Sequence, residues 1–367
     1  MTTARPMPNL TDIRNKHARI DVSISLATSA DPISAPKSQQ DFLGAVAVLR
    51  ALTDSDFESV NREILAHMQS SVGLIPDLAG HLVNAGGKRI RPMLTLVAAH
   101  VFDYKGDDHV KLAAAVELIH GATLLHDDVV DESSLRRGEK TANVIWGNKE
   151  SVLVGDYLFS RAFELMVAAG DLRVLQILSR ASGIIAEGEV LQLATQKNIE
   201  TTFEQYLDVV DAKTAALFAS AAQSGALIAN CNEQQEDAMR CFARNFGIAY
   251  QLVDDALDYV GFEESLGKTV GDDFREGKMT LPIVYAVARS KPEEKAFWQR
   301  TISKCQQEPE DFETARMLME RDDAIVDTIA CAKRHADKAL SDISKVPANK
   351  YSTALADMVE TSVSRAS

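Results

Sequence analysis

The sequence predicts an all-α protein built as one large helical domain. From about Phe42 onward, apolar residues recur at three- and four-residue spacing, which is the period of an amphipathic helix. Alanine, leucine, glutamate and lysine are common in this part, whereas the alternation of a half-buried strand is scarce. The chain has 367 residues, of which 46% are hydrophobic and 25% are charged, so it can form a substantial core.

Residues 1–41 are predicted to be a flexible N-terminal tail. Pro6, Pro8, Pro32 and Pro36 lie there among many serine, threonine and aspartate residues, and little apolar periodicity is present. A serine- and threonine-rich start that contains arginine is also typical of organellar transit peptides, but the aspartates in this segment argue against one.

The helical domain is predicted to span residues 42–367. Six stretches in it have a helical pattern between breakers: 112–130, 153–169, 174–196, 203–230, 233–259 and 281–288. Glycines between the stretches are expected at helix ends or in loops, namely Gly106, Gly138, Gly170, Gly261, Gly267, Gly271 and Gly277. Because no repeat of fixed period and no low-complexity tract interrupts this part, we expect a single domain.

The charge balance of the chain disfavours nonspecific binding to nucleic acid. Lys plus Arg number 39 against 53 Asp plus Glu, so the formal net charge is −14. An anionic ligand would therefore need local basic residues or a metal ion. No secretory signal is expected, and the uncharged stretch 214–232 is too polar to favour a membrane span, so we predict a cytoplasmic protein.

Two copies of an Asp-Asp-x-x-Asp motif lie in apolar helical segments more than a hundred residues apart. The first copy is Asp127, Asp128 and Asp131, and the second is Asp254, Asp255 and Asp258. Residues four apart on a helix share one face, where like charges repel unless a cation lies between them. Mg²⁺ suits this pattern because it binds one or two carboxylates together with phosphate oxygens. One copy alone could be a solvated helix end, but two copies can face each other and hold metal between them.

Basic residues flank the first acidic motif on both sides. The segment 86–91 (Gly-Gly-Lys-Arg-Ile-Arg) precedes it, and Arg136 and Arg137 follow it, just before Gly138. In a chain this acidic, a glycine-flanked basic cluster indicates an anion site, since arginine forks match phosphate oxygens. The alternative is a basic helix start without a ligand.

Three further basic positions are candidates for the same chemistry. Lys213 precedes Thr214, and Lys268 follows a glycine, so both lysines are expected in loops or at helix starts. His120 lies two helical turns before Asp127 on the same face. It is either a core histidine with one hydrogen bond or a diphosphate ligand.

In this order, the segments resemble the trans-isoprenyl diphosphate synthase (polyprenyl synthetase) family, most strongly its long-chain octaprenyl and decaprenyl diphosphate synthase members. The similarity covers about nine-tenths of the chain, from Phe42 onward. It implies an isoprenoid synthase bundle around a central cavity, and a homodimer. It also implies sequential condensation of isopentenyl diphosphate onto an allylic diphosphate such as farnesyl diphosphate. Diphosphate would be released and the product would supply a quinone side chain, with a peripheral membrane contact for its release.

The resemblance also implies a role for each matching position. Both aspartate motifs would hold three Mg²⁺ ions on the allylic diphosphate. The positions implied for isopentenyl diphosphate are Lys88, Arg91, His120 and Arg137, and those for the allylic diphosphate are Arg136, Lys213 and Lys268. Thr214 and Gln251 match positions near the reacting carbons.

Product length is implied to depend on the residues just before the first aspartate. Short-chain members have bulky aromatic residues four or five positions earlier, whereas this chain has Thr123 and Ala122 there. The helical run before them and the run 203–230 offer small residues, so we expect an open pocket and a long product. The alternative is that small residues only let two helices pack closely.

Other interpretations differ in what they require of the motifs. A class I terpene cyclase typically has an Asn/Asp, Ser/Thr, Glu set as its second metal motif, and a regulatory subunit of a heteromeric synthase would have degraded motifs. Both aspartate motifs are intact here. A helical scaffold leaves the acidic helices unexplained. A geranylgeranyl diphosphate synthase and the catalytic subunit of a heteromeric enzyme keep the same motifs, so both stay open.

Overall fold

The computed structural model describes residues 37–84, 86–260 and 270–366, which form a bundle of α-helices with one short hairpin. The helices are α1 (Lys37–Leu52), α2 (Asp54–His67), α3 (Leu74–Asn84), α4 (Ile90–Val101), α5 (Asp108–Val130), α6 (Ala142–Ile145), α7 (Asn148–Ala168), α8 (Leu172–Thr195), α9 (Phe203–Val210), α10 (Ala216–Ile228), α11 (Glu233–Val260), α12 (Asp272–Glu276), α13 (Leu281–Arg289), α14 (Pro292–Trp298), α15 (Asp311–Arg321), α16 (Ala324–Ile343) and α17 (Lys350–Ser364). Strands β1 (Leu135–Arg136) and β2 (Glu139–Lys140) form an antiparallel hairpin that pairs Leu135 with Lys140. The all-α prediction is confirmed.

The predicted helical stretches agree with observed helices, with one difference inside 203–230. There α9 and α10 are joined by a single turn of π-helix at Asp211–Ala215, which we call the π-turn. A second turn of π-helix, Gln299–Ser303, follows α14. The first 36 residues of the predicted tail lie outside the described residues, and the last five, 37–41, belong to α1. Gly261 and Gly267 also lie outside the described residues.

Side-chain caps fix where several helices begin. Asp171 accepts hydrogen bonds from the backbone N–H groups of Arg173 and Val174, which starts α8. Thr202 and Gln205 form a reciprocal capping box at α9. Each cap satisfies backbone donors that the first helical turn leaves unpaired.

The centre of the bundle is α10, which packs against α4, α5, α8 and α11. Its residues are nearly all buried, and many of them are alanine, serine or glycine, so neighbouring backbones approach closely. A Cβ atom at Gly225 would lie 2.2 Å from the carbonyl oxygen of Thr95 on α4. Only glycine leaves room for this contact.

The connection between α4 and α5 reverses the chain and gives the bundle two distinct ends. Arg91, near the start of α4, contacts His120 in the second half of α5, whereas His100 and His109 meet at the opposite end of the pair. The first acidic motif follows His120, in the last turns of α5. The second motif lies in the last turns of α11.

Within the part of the chain that the structure describes, no helix is both long enough and apolar enough to span a bilayer.

Replacing Gly225 by alanine should destabilise the bundle, because the new methyl group would overlap the Thr95 carbonyl oxygen. We expect Gly225→Ala to lower the free energy of unfolding by about 1–3 kcal/mol. The matched control is Gly44→Ala on the exposed side of α1, where a Cβ meets no atom within 4 Å. That change should leave stability equal or slightly higher, since alanine favours the helix. Urea unfolding followed by circular dichroism measures both, and equal stabilities would contradict the tight α4–α10 contact.

Candidate active site

Two basic segments meet at the loop before α4. Gly86 and Gly87 have positive φ angles of 75° and 148°, which favour glycine. A Cβ at Gly87 would lie 2.8 Å from Nη1 of Arg137, so the guanidinium group packs directly over this glycine. Lys88 lies half-buried in the same loop. The structure therefore joins the two basic segments that the sequence places on either side of the first acidic motif.

Arg91 and His120 form a contact between α4 and α5. Nη1 of Arg91 lies 3.1 Å from Nε2 of His120, and the guanidinium carbon lies 4.7 Å from the centre of the Phe218 ring. Burial, followed by the charge of Arg91 and neighbouring arginines, holds the pKa of His120 well below its usual value. A neutral imidazole can accept the Arg91 N–H. The Arg91 side chain keeps a buried Nε without a partner, which leaves a donor for a further group.

The first acidic motif presents its three carboxylates in different surroundings. Asp128 is buried and accepts hydrogen bonds of 2.9 and 2.8 Å from Nε and Nη2 of Arg136. Asp127 and Asp131 face two ammonium groups that stand beyond hydrogen-bond distance: Lys213 Nζ is 3.7 Å from Asp127, and Lys278 Nζ is 3.6 Å from Asp131. Burial raises the pKa of Asp127. Its charge is therefore incompletely compensated by the described side chains.

The π-turn at Asp211–Ala215 positions Lys213 and Thr214. A π-turn adds one residue to a helical turn and often occurs at functional sites. Close approach of two neighbouring helices depends on glycine: a Cβ at Gly188 of α8 would lie 2.7 Å from Ala212 Cβ, and one at Gly247 of α11 would lie 2.9 Å from Ala215 Cα. Lys213 donates a 2.8 Å hydrogen bond to Glu189 on α8 and points toward the first acidic motif.

A chain of hydrogen bonds runs from the π-turn to the second acidic motif. Thr214 Oγ1 donates to Gln251 Oε1 at 3.1 Å, and Gln251 Nε2 donates to Asp255 Oδ1 at 2.8 Å. The Tyr206 hydroxyl donates to the other oxygen of Asp255. Burial, together with the charge of Asp273, raises the pKa of Asp255 to about 7.

The other two carboxylates of the second motif contact later parts of the chain. Asp254 accepts a 2.9 Å hydrogen bond from Nη1 of Arg365, whose guanidinium lies 4.7 Å from the ring centres of Phe42 and Tyr250. Asp258 accepts a 3.1 Å hydrogen bond from the backbone N–H of Asp273.

Two lysines of the first motif's surroundings lie next to residues that lead to the second motif. Lys213 faces Asp127, and its neighbour Thr214 leads to Asp255 through Gln251. Lys278 lies near Asp131 of the first motif. Burial lowers the pKa of Lys278, but the negative charges of Asp273, Asp131 and Glu276 have the larger effect, so the pKa is raised. The structure therefore brings both motifs, Lys213, Thr214 and Gln251 into one network, with Arg91 and His120 nearby on α4 and α5. Lys268 lies outside the described residues.

A family model matches residues 73–319, and its description is "Polyprenyl synthetase". This chain belongs to the polyprenyl synthetase family. It is therefore an enzyme, a prenyltransferase. The family match covers both aspartate motifs and the basic segments around the first.

Individual relatives in the family resemble the chain over most of its length. Octaprenyl diphosphate synthase of Escherichia coli (strain K12) is 43% identical over 86% of this chain and 98% of its own. A decaprenyl diphosphate synthase structure from Rhodobacter capsulatus is 47% identical, with a TM-score of 0.85 over 88% of this chain and 99% of that one. A polyprenyl synthase structure from Caulobacter crescentus, complexed with calcium and isoprenyl diphosphate, is 50% identical, with a TM-score of 0.84 over 88% and 98% of the two chains.

The polyprenyl synthetase family is Mg²⁺-dependent, and the carboxylates of this chain fit such an ion. Asp127 and Asp131 are only 13% exposed, share a helix face, and have as cationic neighbours two lysine ammonium groups that lie beyond hydrogen-bond distance. Burial raises the pKa of Asp127 against the opposing charge of Lys213, so a further cation at this position would favour its ionised form. Oxygen donors in this state are what Mg²⁺ prefers.

Several residues at the site were missed from the sequence. Glu189, Tyr206 and Asp273 form hydrogen bonds with predicted residues. Lys278 pairs with an aspartate of the first motif, and Arg365 pairs with an aspartate of the second. The signal available for Lys278 was its glycine neighbour, Gly277. Nothing local in the sequence connects Arg365 with Asp254, because 111 residues separate them.

The two residues at the predicted chain-length gate lie on α5 between His120 and the first motif. Ala122 is fully buried in the core, and Thr123 Oγ1 donates a 2.8 Å hydrogen bond to the His120 carbonyl oxygen. Their role in chain length stays a prediction.

Substituting Gly188 should lower activity through the π-turn, because a Cβ there would press on Ala212 and on the Lys213 backbone nitrogen. We expect Gly188→Ala to lower kcat by about 10²-fold, the loss typical of a 1 Å misplacement of a site group. The control on the same helix is Gly183→Ala, where a Cβ meets nothing within 4 Å. Steady-state prenyl transfer assays compare the two variants with the parent. Equal turnover in all three would mean that the π-turn tolerates displacement.

Proposed function

We propose that the chain is a long-chain all-trans polyprenyl diphosphate synthase. It adds isopentenyl diphosphate units sequentially to an allylic diphosphate such as farnesyl diphosphate and releases diphosphate. The observation that supports this proposal is a network in which Lys213, Thr214 and Gln251 link the two aspartate motifs. A separate group of basic side chains lies beside it. Two separate groups of charged side chains suit two different diphosphates. The resemblance to octaprenyl and decaprenyl diphosphate synthases supports the long product.

The allylic diphosphate would bind between the two aspartate motifs. Mg²⁺ held there by carboxylates of both motifs would neutralise the diphosphate and promote its departure. Lys213 and Arg136 would contact its oxygens, and Lys278 already stands at the same side of the first motif. The six proposed ligand residues are Asp127, Asp128, Asp131, Asp254, Asp255 and Asp258.

Isopentenyl diphosphate would bind at the basic group formed by the loop before α4 and the hairpin. Lys88, Arg91 and Arg137 would supply its charge-assisted donors, and His120 would hold Arg91 in position. The unpartnered Nε of Arg91 fits a phosphate oxygen. This group lies beside the first motif because α4 and α5 are antiparallel.

The reaction follows from charge stabilisation at the leaving group. The allylic C–O bond breaks, its electron pair leaves with the diphosphate, and Lys213 with Arg136 stabilises the growing negative charge. The double bond of isopentenyl diphosphate then supplies the electron pair for the new C–C bond. The resulting cation loses a proton from the adjacent carbon, with the released diphosphate as the acceptor. Buried Thr214 and its partner Gln251 lie where they would orient the reacting carbons.

The quaternary structure proposed is a homodimer formed by α7 and α8. Leu153 and Val167 on α7 are 67% and 63% exposed, and Leu172 and Val190 on α8 are 81% and 67% exposed. Apolar exposure concentrated on two adjacent helices is typical of a protein interface. A catalytic subunit that needs a different partner would use the same face. The product would supply a quinone side chain in the cytoplasm, with transfer to a membrane surface on release.

The direct test is to incubate the purified protein with Mg²⁺, labelled isopentenyl diphosphate and farnesyl diphosphate, and to size the dephosphorylated products. We expect a ladder that ends at octaprenol to decaprenol. Asp127→Asn should reduce incorporation by about 10²-fold or more, since it removes charge from the metal site. Termination at geranylgeraniol would contradict the long-chain assignment. Absence of incorporation by the protein alone, restored by a second subunit, would contradict the homodimer.

Product length should shorten when Ala122 is replaced by phenylalanine. Ala122 lies five residues before Asp127 and is buried, so an aromatic ring there would occupy space along α5. The expected result is a ladder that stops several units earlier with prenyl transfer retained. The control is Ala288→Phe, an exposed position on α13. Reversed-phase analysis of the prenols measures the chain length of the products. An unchanged ladder would show that Ala122 does not control product length.

A further inference from the structure

A second group of potential metal ligands lies at the opposite end of the bundle from the aspartate motifs. Asp56 from the first turn of α2, His100 from the last turn of α4 and His109 from the start of α5 converge there. One ligand atom from each lies within 4.8 Å of the other two. His109 precedes Asp127 by 18 residues on one helix, which corresponds to about 27 Å at 1.5 Å per residue. The prenyl transfer site therefore does not explain the cluster.

His109 is the observation that points to a ligand. Its residue is only 4% exposed, and neither ring nitrogen has a hydrogen-bond partner. A buried polar group without a partner is rare, since it loses its contacts with water and gains nothing in return. Its Nε2 lies 3.5 Å from Asp56 Oδ2, which is too long for a hydrogen bond.

The spacing of the ligand atoms suits a small tetrahedral ion. Two ligand atoms bonded to zinc at about 2.0–2.1 Å are about 3.3 Å apart, close to the separation of His109 Nε2 and Asp56 Oδ2. His100 Nε2 and Asp56 Oδ2 are 2.6 Å apart and hydrogen-bonded, so these two side chains would separate slightly to admit a metal. Both are partly exposed, at 21% and 23% of their side chains, which gives an ion a path from solvent.

Aromatic neighbours hold the two imidazole rings of the cluster in place. The Tyr351 ring stacks on His100 with a centroid distance of 5.0 Å, and the Tyr104 ring meets His109 edge-on at 5.4 Å. The two imidazole rings are themselves perpendicular, 5.3 Å apart. This aromatic packing preorganises the imidazoles, so little side-chain freedom would be lost when an ion binds.

We propose that Asp56, His100 and His109 form a binding site for Zn²⁺ or a similar borderline divalent ion, with a solvent water as the fourth ligand. Two imidazoles and one carboxylate favour zinc, cobalt or nickel over Mg²⁺, which prefers oxygen ligands. The ion would tie together the ends of α2, α4 and α5. The site is independent of the proposed prenyl transfer chemistry and adds a second class of metal to the protein.

The test uses Co²⁺ as a spectroscopic probe on the full chain in the presence of excess Mg²⁺, which competes for the carboxylate oxygens of the aspartate motifs. Four-coordinate Co²⁺ with nitrogen ligands absorbs visible light far more strongly than six-coordinate Co²⁺ with oxygen ligands. We expect an intense visible band that saturates at one Co²⁺ per chain and disappears when Zn²⁺ is added. Zn²⁺ should also raise the Tm of the protein.

The diagnostic variant is Asp56→Asn, which keeps the shape of a partly exposed side chain and is therefore expected to fold. Loss of a direct ligand should weaken Zn²⁺ binding by more than the roughly 10- to 100-fold that changes around metal ligands produce. His67→Gln is the control, because His67 also lies on α2 beside a carboxylate, Glu63, but outside the cluster. Circular dichroism and retained prenyl transfer with Mg²⁺ would show that Asp56→Asn is folded. A weak band in the parent protein, or equal Zn²⁺ affinity in Asp56→Asn, would overturn the proposal.

Discussion

Repulsion among clustered, partly buried carboxylates is the constraint on which the site depends. Two helices, α5 and α11, each end in an acidic motif within an apolar bundle, where water can screen the charges only weakly. The protein compensates part of this charge with Arg136 at Asp128, Arg365 at Asp254 and two lysines between the motifs. Burial raises the pKa of Asp127 and of Asp255 in spite of these partners, so additional positive charge would favour the ionised motifs. The proposed Mg²⁺ ions would supply that charge.

The same arrangement keeps two proposed diphosphate-binding groups apart. Carboxylates and lysines lie at the last turn of α5, and Arg91 with neutral His120 lies about two turns earlier along the same helix. An anion that arrives with metal ions suits the first group, and a bare diphosphate suits the second. Because the two groups share α5, the distance between them is set by a rigid helix rather than by a loop.

Much of the fold and part of the site could be predicted from the sequence, for reasons that are local. Helical periodicity and glycine breakers locate α5, α7, α8, α11 and α13 to within a few residues. The aspartate motifs and the Gly-Gly-Lys-Arg segment are contiguous, so spacing alone suggests their chemistry. The π-turn was missed because no residue type marks it, and the helices that pack closely against it at Gly188 and Gly247 lie elsewhere in the sequence. Arg365 and the Asp56, His100 and His109 cluster were missed because only tertiary packing brings those residues together.

The long sequence separations between contacting residues of this domain affect how it acquires its function. Asp254 pairs with a residue 111 positions later, and Asn349 donates to the carbonyl oxygen of Val101 across 248 positions. Closing such large loops is slow, and none of these contacts can form within a short fragment of the chain. A partly folded intermediate with correct α5 and α11 helices would still lack the ordered site. Diphosphate binding at the proposed site would therefore report completed folding, and the ligand would stabilise the whole cooperative unit rather than one segment of it.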